Sequence, residues 1–343
     1  MGNCCSAAGR ATEISVASPR VVLGYWVTSQ GQGCLRDVAL PAVGAKDCEL
    51  TAIFTGVSKG TERLVGMGRV PAECAEPMAC RGMQGNMQLP VLYGYSFVGR
   101  LTAGEHAGRS AFTMHPHQER AVVAREHLVL LPSGMPPSRA TLFPNLETAW
   151  NAMWDAELIA GERVAVVGGG AVGLLLTFVL QSVLGMRVVL VESDPLRRSR
   201  AARLPWAVEV IDPADLPRGT FDAVFHATGH GEGLQLAIDA LGFEGRVLDL
   251  SWYGTTKVSV RLGGRFHYQR QRIIASQVAT VARVHRAGGY AARTAAVLEL
   301  LGDSRLDSLF DAPIPFATLP EFFARLYHGD VESPCPLVSY PNS

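Results

Sequence analysis

The chain has 343 residues, enough for two domains, or one large one, with a well-buried core. Hydrophobic residues make up 48% and charged residues 18%, which is typical of a compact globular protein and excludes a disordered one. Lysine plus arginine and aspartate plus glutamate both number 31, so zero net charge gives no electrostatic reason to expect nucleic acid as a partner. No run of 18 apolar residues is present, so no membrane-spanning helix is predicted.

Cysteine usage and the first six residues bear on location. Seven scattered cysteines, without a Cys-x-x-Cys pair or a signal peptide, predict reduced thiols in a cytoplasmic protein. The start, MGNCCS, offers an alternative, because Gly2 fits the myristoylation pattern and Cys4 and Cys5 could carry a second lipid. A chance match on a terminal tail is the favoured interpretation, so no stable membrane association is expected unless this segment is lipidated.

The first part of the chain predicts short strands. Residues 1–17 are expected to form an extension. Short apolar runs, broken by glycine, proline and charged residues, then lie at 21–27, 49–54, 95–101, 110–114, 120–124 and 128–132. This pattern predicts a β-rich segment. Residues 55–64 are predicted as a loop at a strand end, and residues 78–89 as a second loop. The apolar spacing of residues 148–158 predicts a helix.

The pattern changes beyond residue 161. β-branched runs with little alternation, typical of buried parallel strands, lie at 163–167, 187–191, 222–227 and 246–251. Helical patterns separate them at 171–184, 196–204 and 233–241. This alternation predicts an α/β fold with a doubly wound parallel sheet and right-handed crossovers. It fades from about residue 278 into predicted helices at 291–301 and 319–326.

The most specific motif is VAVVGGGAVGLLL, which places Gly168, Gly170 and Gly173 in the pattern G-x-G-x-x-G between a predicted strand and helix. Gly168 permits the tight turn, Gly170 lets backbone amides approach a pyrophosphate, and Gly173 lets helix and sheet pack closely. The helix that begins at Ala171 and Val172 offers unpaired N–H groups and the positive end of its dipole to phosphates. The motif therefore predicts a dinucleotide site.

An acidic residue supports this prediction. Glu192 stands 19 residues beyond Gly173, at the end of the next predicted strand, where a carboxylate can accept hydrogen bonds from both ribose hydroxyls of NAD. Its charge would repel the 2′-phosphate of NADP, whereas Arg197 and Arg198 could accommodate that phosphate. The alternative is an exposed carboxylate at a strand end. Strand, helix and acid together favour dinucleotide binding, and NAD over NADP.

The order of a β-rich segment, a nucleotide-binding fold and a C-terminal return resembles the medium-chain dehydrogenase/reductase family, from residue 20 onward. The resemblance implies a GroES-like catalytic domain at 18–145, a Rossmann cofactor domain at 146–279 and a return to the catalytic domain at 280–343, after the extension 1–17. It also implies a small-molecule substrate and a homodimer. Thr148 matches the family residue that touches the nicotinamide. A further predicted strand ends at Ala227, Thr228 and Gly229, and in the family this segment passes beneath the nicotinamide ribose.

The family's zinc motifs are altered in this sequence. GVSKGTE falls where the family carries Gly-Ile/Val-Cys-x-Thr-Asp, and YGYSFVG falls where it carries Gly-His-Glu. The catalytic zinc positions thus correspond to Ser58, Tyr95 and Pro144 or Asn145, none of which replaces a thiolate or an imidazole. The lobe of the structural zinc should lie between residues 101 and 112, which are too few and contain no cysteine. Neither zinc is expected. The alternative is a rebuilt site from His115, His117, Glu62 and Glu147.

Without a metal, carbonyl chemistry still needs groups that move a proton and stabilise an oxyanion. The candidates are Ser58, Lys59, Thr61, Tyr95, His117 and Glu147. Lys59 could stabilise an oxyanion, Tyr95 offers a phenol as general acid/base, and a histidine such as His117 suits a proton relay. A packed aromatic is the alternative for Tyr95, and Glu62 is expected to pair with Arg63 or with neighbouring charges.

GVSKGTERLVGMGRVP is similar to the Ser-Gly-Ile-Ser-x-Gly-Thr-Glu-Arg segment of a zinc-less branch of the family, which includes the bacteriochlorophyllide 3-hydroxyethyl dehydrogenases. The sequence therefore predicts a zinc-independent, NAD(H)-dependent oxidoreductase that interconverts a secondary alcohol and a ketone. The alternatives are an NAD(P)H-dependent enoyl or quinone reductase, and a nucleotide-binding protein without catalysis. Glu192 weighs against the reductase, because zinc-less relatives of that kind prefer NADPH.

Overall fold

The computed structural model describes residues 20–206 and 208–341, and the predicted extension, with Gly2, Cys4 and Cys5, lies outside them. The first half contains strands β1 (Val21–Ser29), β2 (Gln32–Ala39), β3 (Asp47–Gly56), β4 (Gln84–Gly85), β5 (Val91–Leu92), β6 (Phe97–Leu101), β7 (Ser110–Thr113), β8 (Arg120–Ala124) and β9 (Val129–Leu130). Its helices are α1 (Lys59–Gly66), α2 (Pro137–Ala140) and α3 (Phe143–Ala156).

Strands and helices then alternate as β10 (Val164–Val167), α4 (Ala171–Leu184), β11 (Val188–Val191), α5 (Pro195–Ala201), β12 (Glu209–Ile211), β13 (Phe221–His226), α6 (Gly231–Ala240), β14 (Leu241–Asp249), α7 (Arg265–Tyr268) and β15 (Arg272–Ala275). The C-terminal part contains α8 (Gly289–Leu300), β16 (Ile314–Pro315), α9 (Leu319–His328) and β17 (Leu337–Ser339).

Two sheets build the first part of the molecule, which has the GroES-like architecture. One has the order β2-β1-β5-β4, and the other has the order β16-β17-β3-β6-β7-β9, with β8 paired to β3. The C-terminal strand β17 runs antiparallel to β3 and sets Leu337 opposite Gly56. This pairing brings the C-terminal segment back beside the loop that follows β3.

The third sheet has the order β12-β11-β10-β13-β14-β15, and all of its pairs are parallel. This is the 3-2-1-4-5-6 order of the Rossmann fold, in which a ligand binds beyond the carboxyl ends of the strands where the order reverses. The reversal falls between β10 and β13. At that edge Val167, His226 and Asp249 lie side by side in register.

The predicted α/β fold, a GroES-like domain joined to a Rossmann domain, is confirmed. Helix α4 coincides with the predicted helix at 171–184. Two predictions were wrong locally. Strand β2 was missed because only one of its eight residues is buried, so no apolar run marks it. Residues 59–66 form helix α1 rather than a loop, because Ser58 stands at its N-cap and Glu62 in its first turn, a start signal that the glycines obscured.

The elements pack around two large apolar clusters. One surrounds α3 and α4 and includes Leu146 and Phe178, and the other joins β3 and β6 to α9 through Phe97 and Phe323. Of the described helices, none has the length and apolarity needed to cross a membrane. The five described cysteines are free thiols.

Candidate active site

The glycine turn between β10 and α4 has three positions where a side chain would not fit or would change the site. Gly168 has a φ of +113°, and its N–H donates to the carbonyl of Val191 at 2.8 Å. A Cβ on Gly173 would lie 1.9 Å from the carbonyl oxygen of Gly168, so only glycine lets α4 approach the turn. A Cβ on Gly170 would meet nothing within 4 Å, which leaves open space at the helix N-terminus. The turn thus fits a dinucleotide phosphate.

A cavity beside this turn gathers positive charge. We call it the glycine cavity; its lining residues are Lys59, Gly169, Gly170, Leu174, Arg197, Arg200, Glu332 and Pro334. The Lys59 ammonium donates to the carbonyl of Val331 at 3.1 Å. Burial, with Arg197 and Arg200 nearby, lowers the pKa of Lys59 to about 8. The structure therefore places Lys59 in the glycine cavity and not beside the hydroxyls of Ser58 and Tyr95.

Glu192 lies at the end of β11, directly beside the glycine turn, and is 6% exposed. Its carboxylate accepts the N–H of Gly169 at 2.8 Å and that of Asp194 at 2.9 Å. Arg198 forms an ion pair with Asp212 at 2.9 Å, whereas the neighbouring Arg197 lines the glycine cavity. The carboxylate thus lies at the predicted edge of the crevice.

The other predicted cofactor residues lie around the same crevice. Ala171 and Val172 form the first turn of α4. Ala227 follows β13 and donates its N–H to the carbonyl of Val167 at 2.9 Å, and the N–H of Gly229 donates to Ser251 Oγ at 3.0 Å. Thr148 lies on α3 and donates its hydroxyl to the carbonyl of Pro144 at 3.0 Å.

A second cavity collects hydroxyl groups, and we call it the hydroxyl cavity. It is lined by Gly56, Val57, Ser58, Tyr95, Ser96, Thr141, Leu142, Pro144, Asn145, Cys335 and Pro336. The Tyr95 hydroxyl donates to Thr61 Oγ1 at 3.5 Å. Burial raises the pKa of Tyr95 well above its usual range, while hydrogen bonding with Ser58 and Thr61 opposes part of the shift. Tyr95 is therefore a neutral phenol held among hydroxyls.

The positions that correspond to the family's catalytic zinc ligands converge in the hydroxyl cavity, but their chemistry does not fit zinc. They provide hydroxyls and an amide, and burial raises the pKa of the nearby Cys335 thiol to about 12, which disfavours a thiolate. Across residues 20–206 and 208–341, no three histidine, cysteine, aspartate or glutamate side chains converge as metal ligands.

His117 is buried, and both of its ring nitrogens are engaged. Nδ1 lies 2.7 Å from Thr55 Oγ1, and Nε2 lies 2.9 Å from Glu62 Oε2. The other oxygen of Glu62 accepts the N–H of Ser58 at 2.7 Å. His117 therefore acts on Ser58 through Glu62 and does not line the hydroxyl cavity as a direct relay. Glu62 pairs with His117 rather than with Arg63.

Glu147 is also outside the Ser58–Tyr95 group. Its carboxylate pairs with Arg293 at 3.2 Å, and Arg293 donates to the carbonyl of Val278 at 2.8 Å. Burial raises the pKa of Glu147, and the charge of Arg293 opposes the shift. This ion pair joins α3 to α8 and places the Glu147 carboxylate outside the lining of the hydroxyl cavity. His115 packs edge-on against Phe97, and burial lowers its pKa to about 4.

One polar cluster escaped the sequence analysis. His226, Asp249, Ser251 and Tyr253 lie together at the carboxyl ends of β13 and β14. The signal for it was present, because His226 in DAVFHA and Asp249 in VLDLS each follow apolar residues near the end of a predicted buried strand. Such a residue in a buried parallel strand needs a partner, and adjacent strand ends supply it.

No protein-family model matches the chain. It is 28% identical over 209 residues to L-galactonate-5-dehydrogenase of Escherichia coli, covering 57% of this chain and 57% of the relative. It is 26% identical over 153 residues to (R,R)-butanediol dehydrogenase of Saccharomyces cerevisiae, covering 41% and 40%. The chain thus spans about half the length of these two relatives. A longer match, 25% identical over 252 residues, joins it to 2-desacetyl-2-hydroxyethyl bacteriochlorophyllide A dehydrogenase of Rhodobacter capsulatus, covering 68% and 74%.

Solved structures share the whole fold. An E. coli alcohol dehydrogenase in complex with NADH superposes with a TM-score of 0.73 and 14% identity, covering 93% of this chain and 99% of the other. The yhdH oxidoreductase of Salmonella enterica in complex with NADP superposes with a TM-score of 0.67 and 17% identity, covering 94% and 99%. In sequence and in fold the chain is therefore similar to alcohol dehydrogenase-like proteins of the medium-chain dehydrogenase/reductase family.

Proposed function

We propose that this protein is an NAD(H)-dependent oxidoreductase that interconverts a secondary alcohol and a ketone without zinc. One observation carries the proposal: consecutive residues divide between the two cavities. Ser58 lines the hydroxyl cavity and Lys59 the glycine cavity, and Cys335 and Pro334 are divided in the same way. The anion-binding turn and the cluster of hydroxyls therefore adjoin, as the phosphates and the reacting end of one dinucleotide require.

The glycine cavity would hold the phosphates. The N–H groups that begin α4 and the cations Lys59, Arg197 and Arg200 offer complementary charge. Glu192, at the end of β11, would accept the ribose hydroxyls, and its charge supports NAD over NADP. When bound, the nicotinamide supplies hydride donor or acceptor chemistry.

The hydroxyl cavity would handle the proton. Because burial raises the pKa of Tyr95, its phenol stays protonated and can donate a hydrogen bond that stabilises the developing negative charge on a carbonyl oxygen. Ser58 and Thr61 hold the phenol oxygen. Glu62, itself bonded to His117, fixes the backbone of Ser58. Asn145, on the same wall, offers an amide to the substrate.

The relatives in sequence support this chemistry, since they include a butanediol dehydrogenase and an L-galactonate-5-dehydrogenase. The structural relatives include complexes with NADH and with NADP, so the preference for NAD rests on this chain's own Glu192.

The proposal is tested by titrating the full chain with NADH and NADPH, followed by fluorescence. We then measure oxidation of NADH with a panel of ketones, enones and quinones, and the zinc content of the same sample. NADH should bind more tightly than NADPH, and ketones should be reduced. Absence of NADH binding would overturn the proposal, and one equivalent of zinc per chain would overturn its zinc-free part. Turnover of enones or quinones alone would favour the reductase alternative, and binding without any turnover would favour a protein without catalysis.

A further inference from the structure

A second buried polar cluster lies between the carboxyl ends of β13 and β14, and none of its members lines the glycine cavity or the hydroxyl cavity. His226 is 0% exposed. Its Nδ1 lies 2.9 Å from Asp249 Oδ1, and its Nε2 lies 2.7 Å from Thr228 Oγ1. A histidine and an aspartate in buried parallel strands are costly unless they are paired, so the cluster has a role that apolar residues would not fill.

The position of the pair in the sheet suggests that role. His226 stands beside Val167, the last residue before the glycine turn, and beside Asp249 on its other flank. These strands border the point where the strand order reverses, which is where dinucleotides bind in this fold. The three turns that follow β10, β13 and β14 therefore leave the sheet next to one another, around His226.

The hydrogen bonds assign donor and acceptor roles within the His226–Asp249 pair. The Asp249 carboxylate accepts the Nδ1–H of His226, which leaves Nε2 as an acceptor. The Thr228 hydroxyl then has two acceptors, Nε2 at 2.7 Å and the carbonyl of His230 at 3.3 Å, and the shorter contact favours Nε2. Burial acts to raise the pKa of Asp249, but the hydrogen bond from His226 and those from the Ser251 backbone and Tyr253 hold it below its usual value. Asp249 thus remains a carboxylate that fixes the imidazole tautomer.

Each end of the network holds a turn. Thr228 Oγ1 also accepts the N–H of His230 at 3.0 Å, which fixes the turn after β13. Asp249 accepts the N–H of Ser251 at 3.1 Å and the hydroxyl of Tyr253 at 2.9 Å, which fixes the turn after β14. The two turns are then joined directly through Ser251 and Gly229.

Thr228 connects the network to the glycine turn. Its methyl carbon lies 3.0 Å from the point where a Cβ of Gly168 would stand. A Cβ on Gly233 would lie 2.4 Å from Thr228 Oγ1 and 2.9 Å from His226 Nε2, so glycine there lets the start of α6 close over the pair. A shift of Thr228 would therefore change the packing against Gly168.

We infer that the His226–Asp249 pair is a positioning element of the cofactor site, which fixes Thr228 against the glycine turn through a single imidazole tautomer. The inference rests on the proposed function in that its ligand is a nicotinamide dinucleotide. Neither residue is catalytic, because His226 is fully buried and acts through Thr228.

Two substitutions separate the two nitrogens of His226. His226→Gln can place an amide where Nε2 stands and keep the contact with Thr228, whereas His226→Asn can keep the contact with Asp249 and loses Thr228. NADH should bind His226→Gln within about 3-fold of the wild type and His226→Asn about 10-fold more weakly, the cost of one buried hydrogen bond. Thr228→Val should weaken NADH binding about as much as His226→Asn does. The double variant His226→Asn with Thr228→Val should bind NADH no more weakly than either single variant.

Two further measurements separate positioning from general stability. Gln271→Met removes a buried hydrogen bond, 2.8 Å long, to the carbonyl of Leu241 at the opposite end of β14 from Asp249, and should lower the unfolding midpoint without changing the Kd for NADH. Nitrogen NMR of the wild type should show His226 with a protonated Nδ1 and an unprotonated Nε2 at pH 8, and Asp249→Asn should abolish that preference.

The outcomes are distinct. Weaker binding by His226→Asn than by His226→Gln, with the expected tautomer, supports the inference. Equal Kd values for the wild type and both variants, or the opposite tautomer in the wild type, would overturn the inference. If the wild type still binds NADH, the proposed function is unaffected by that result. Failure of the wild type to bind NADH would overturn the proposed function, and the inference with it. If the variants do not fold, the tautomer of the wild type still decides.

Discussion

The glycine cavity and the hydroxyl cavity adjoin but are built in different ways. The glycine cavity takes its central groups from one continuous stretch, the turn between β10 and α4, with cations added around it. The hydroxyl cavity is assembled from four separate segments, at 56–58, 95–96, 141–145 and 335–336. The central groups of the glycine cavity are therefore close together in the sequence, whereas the hydroxyl cavity forms only when β17 pairs with β3.

The two cavities also differ in charge. Lys59, Arg197 and Arg200 outnumber Glu332 in the lining of the glycine cavity, although Arg200 is paired with Asp311 at 2.9 Å. The hydroxyl cavity holds neutral hydroxyls around Tyr95. Helix α1 creates this difference within two residues, because its first turn directs Ser58 and Lys59 to different cavities. Substitutions in one cavity should therefore change cofactor affinity, and substitutions in the other should change turnover.

The largest effect is expected at Gly173. Gly173→Ala places a Cβ 1.9 Å from the backbone oxygen of Gly168, and that oxygen cannot move without opening the turn. We expect an unfolding free energy lower by about 3 kcal/mol and no measurable NADH binding. The matched control is Gly170→Ala, whose Cβ meets no protein atom, so it should weaken NADH binding with an unchanged unfolding midpoint. Equal unfolding curves for both variants would contradict the geometry.

Tyr95→Phe tests the hydroxyl cavity. Removal of the phenol should lower kcat about 100- to 1,000-fold, the usual contribution of one hydrogen-bond donor to a developing oxyanion. The Kd for NADH should stay within about 2-fold, since Tyr95 does not line the glycine cavity. Steady-state kinetics and a fluorescence titration on the same sample measure both. A large rise in Kd with kcat unchanged would mean that the two cavities are not separate in function.

Lys59→Met should weaken NADH binding about 10-fold, because a charged partner of the phosphates is lost. The wild type should show a pH dependence with a definite sign. The pKa of Lys59 is lowered to about 8, so its charge is lost as pH rises through that value, and NADH affinity should fall above about pH 8. Lys59→Arg keeps its charge and should bind with a flat profile up to pH 10. A flat profile in the wild type would remove Lys59 from the phosphate site.

The smallest effect on turnover is expected at Glu147. Glu147→Gln breaks the ion pair with Arg293 and should lower the unfolding free energy by about 1 to 3 kcal/mol, as for a partly buried pair that loses one member. Its kcat should change less than about 2-fold, because Glu147 does not touch the Ser58–Tyr95 group. Thermal unfolding and steady-state kinetics measure the two effects. A fall in kcat comparable to that of Tyr95→Phe would restore Glu147 as a catalytic residue.

The comparison also shows what the sequence could predict. The turn at Gly168, Gly170 and Gly173 could be predicted from the sequence, because the conformation of a turn and of a helix start depends on neighbouring residues. Ser58, Tyr95, Pro144 and Asn145, the positions that the resemblance matched to the zinc ligands, line one cavity. The partners of Glu62 and Glu147 were not predictable, because His117 lies 55 positions from Glu62 and Arg293 lies 146 positions from Glu147. Spacing alone does not encode such tertiary pairs.

Lys59 and His226 show two other limits. Lys59 was expected beside Ser58 and Thr61, but it lines the glycine cavity. Residues 59–66 were not predicted to be helical, and the direction of the Lys59 side chain depends on that helix. His226 was visible as a polar residue in a buried strand, but its partner Asp249 lies on the next strand, in a register that only the folded sheet defines.

The central claim, that hydroxyl groups and not zinc support carbonyl chemistry beside an NAD site, has one direct test. NADH-dependent reduction of a ketone panel is measured with the full chain before and after treatment with a chelator. The account predicts turnover that chelation leaves unchanged and that added Zn²⁺ does not raise. A rate that disappears on chelation and returns with Zn²⁺ would contradict it.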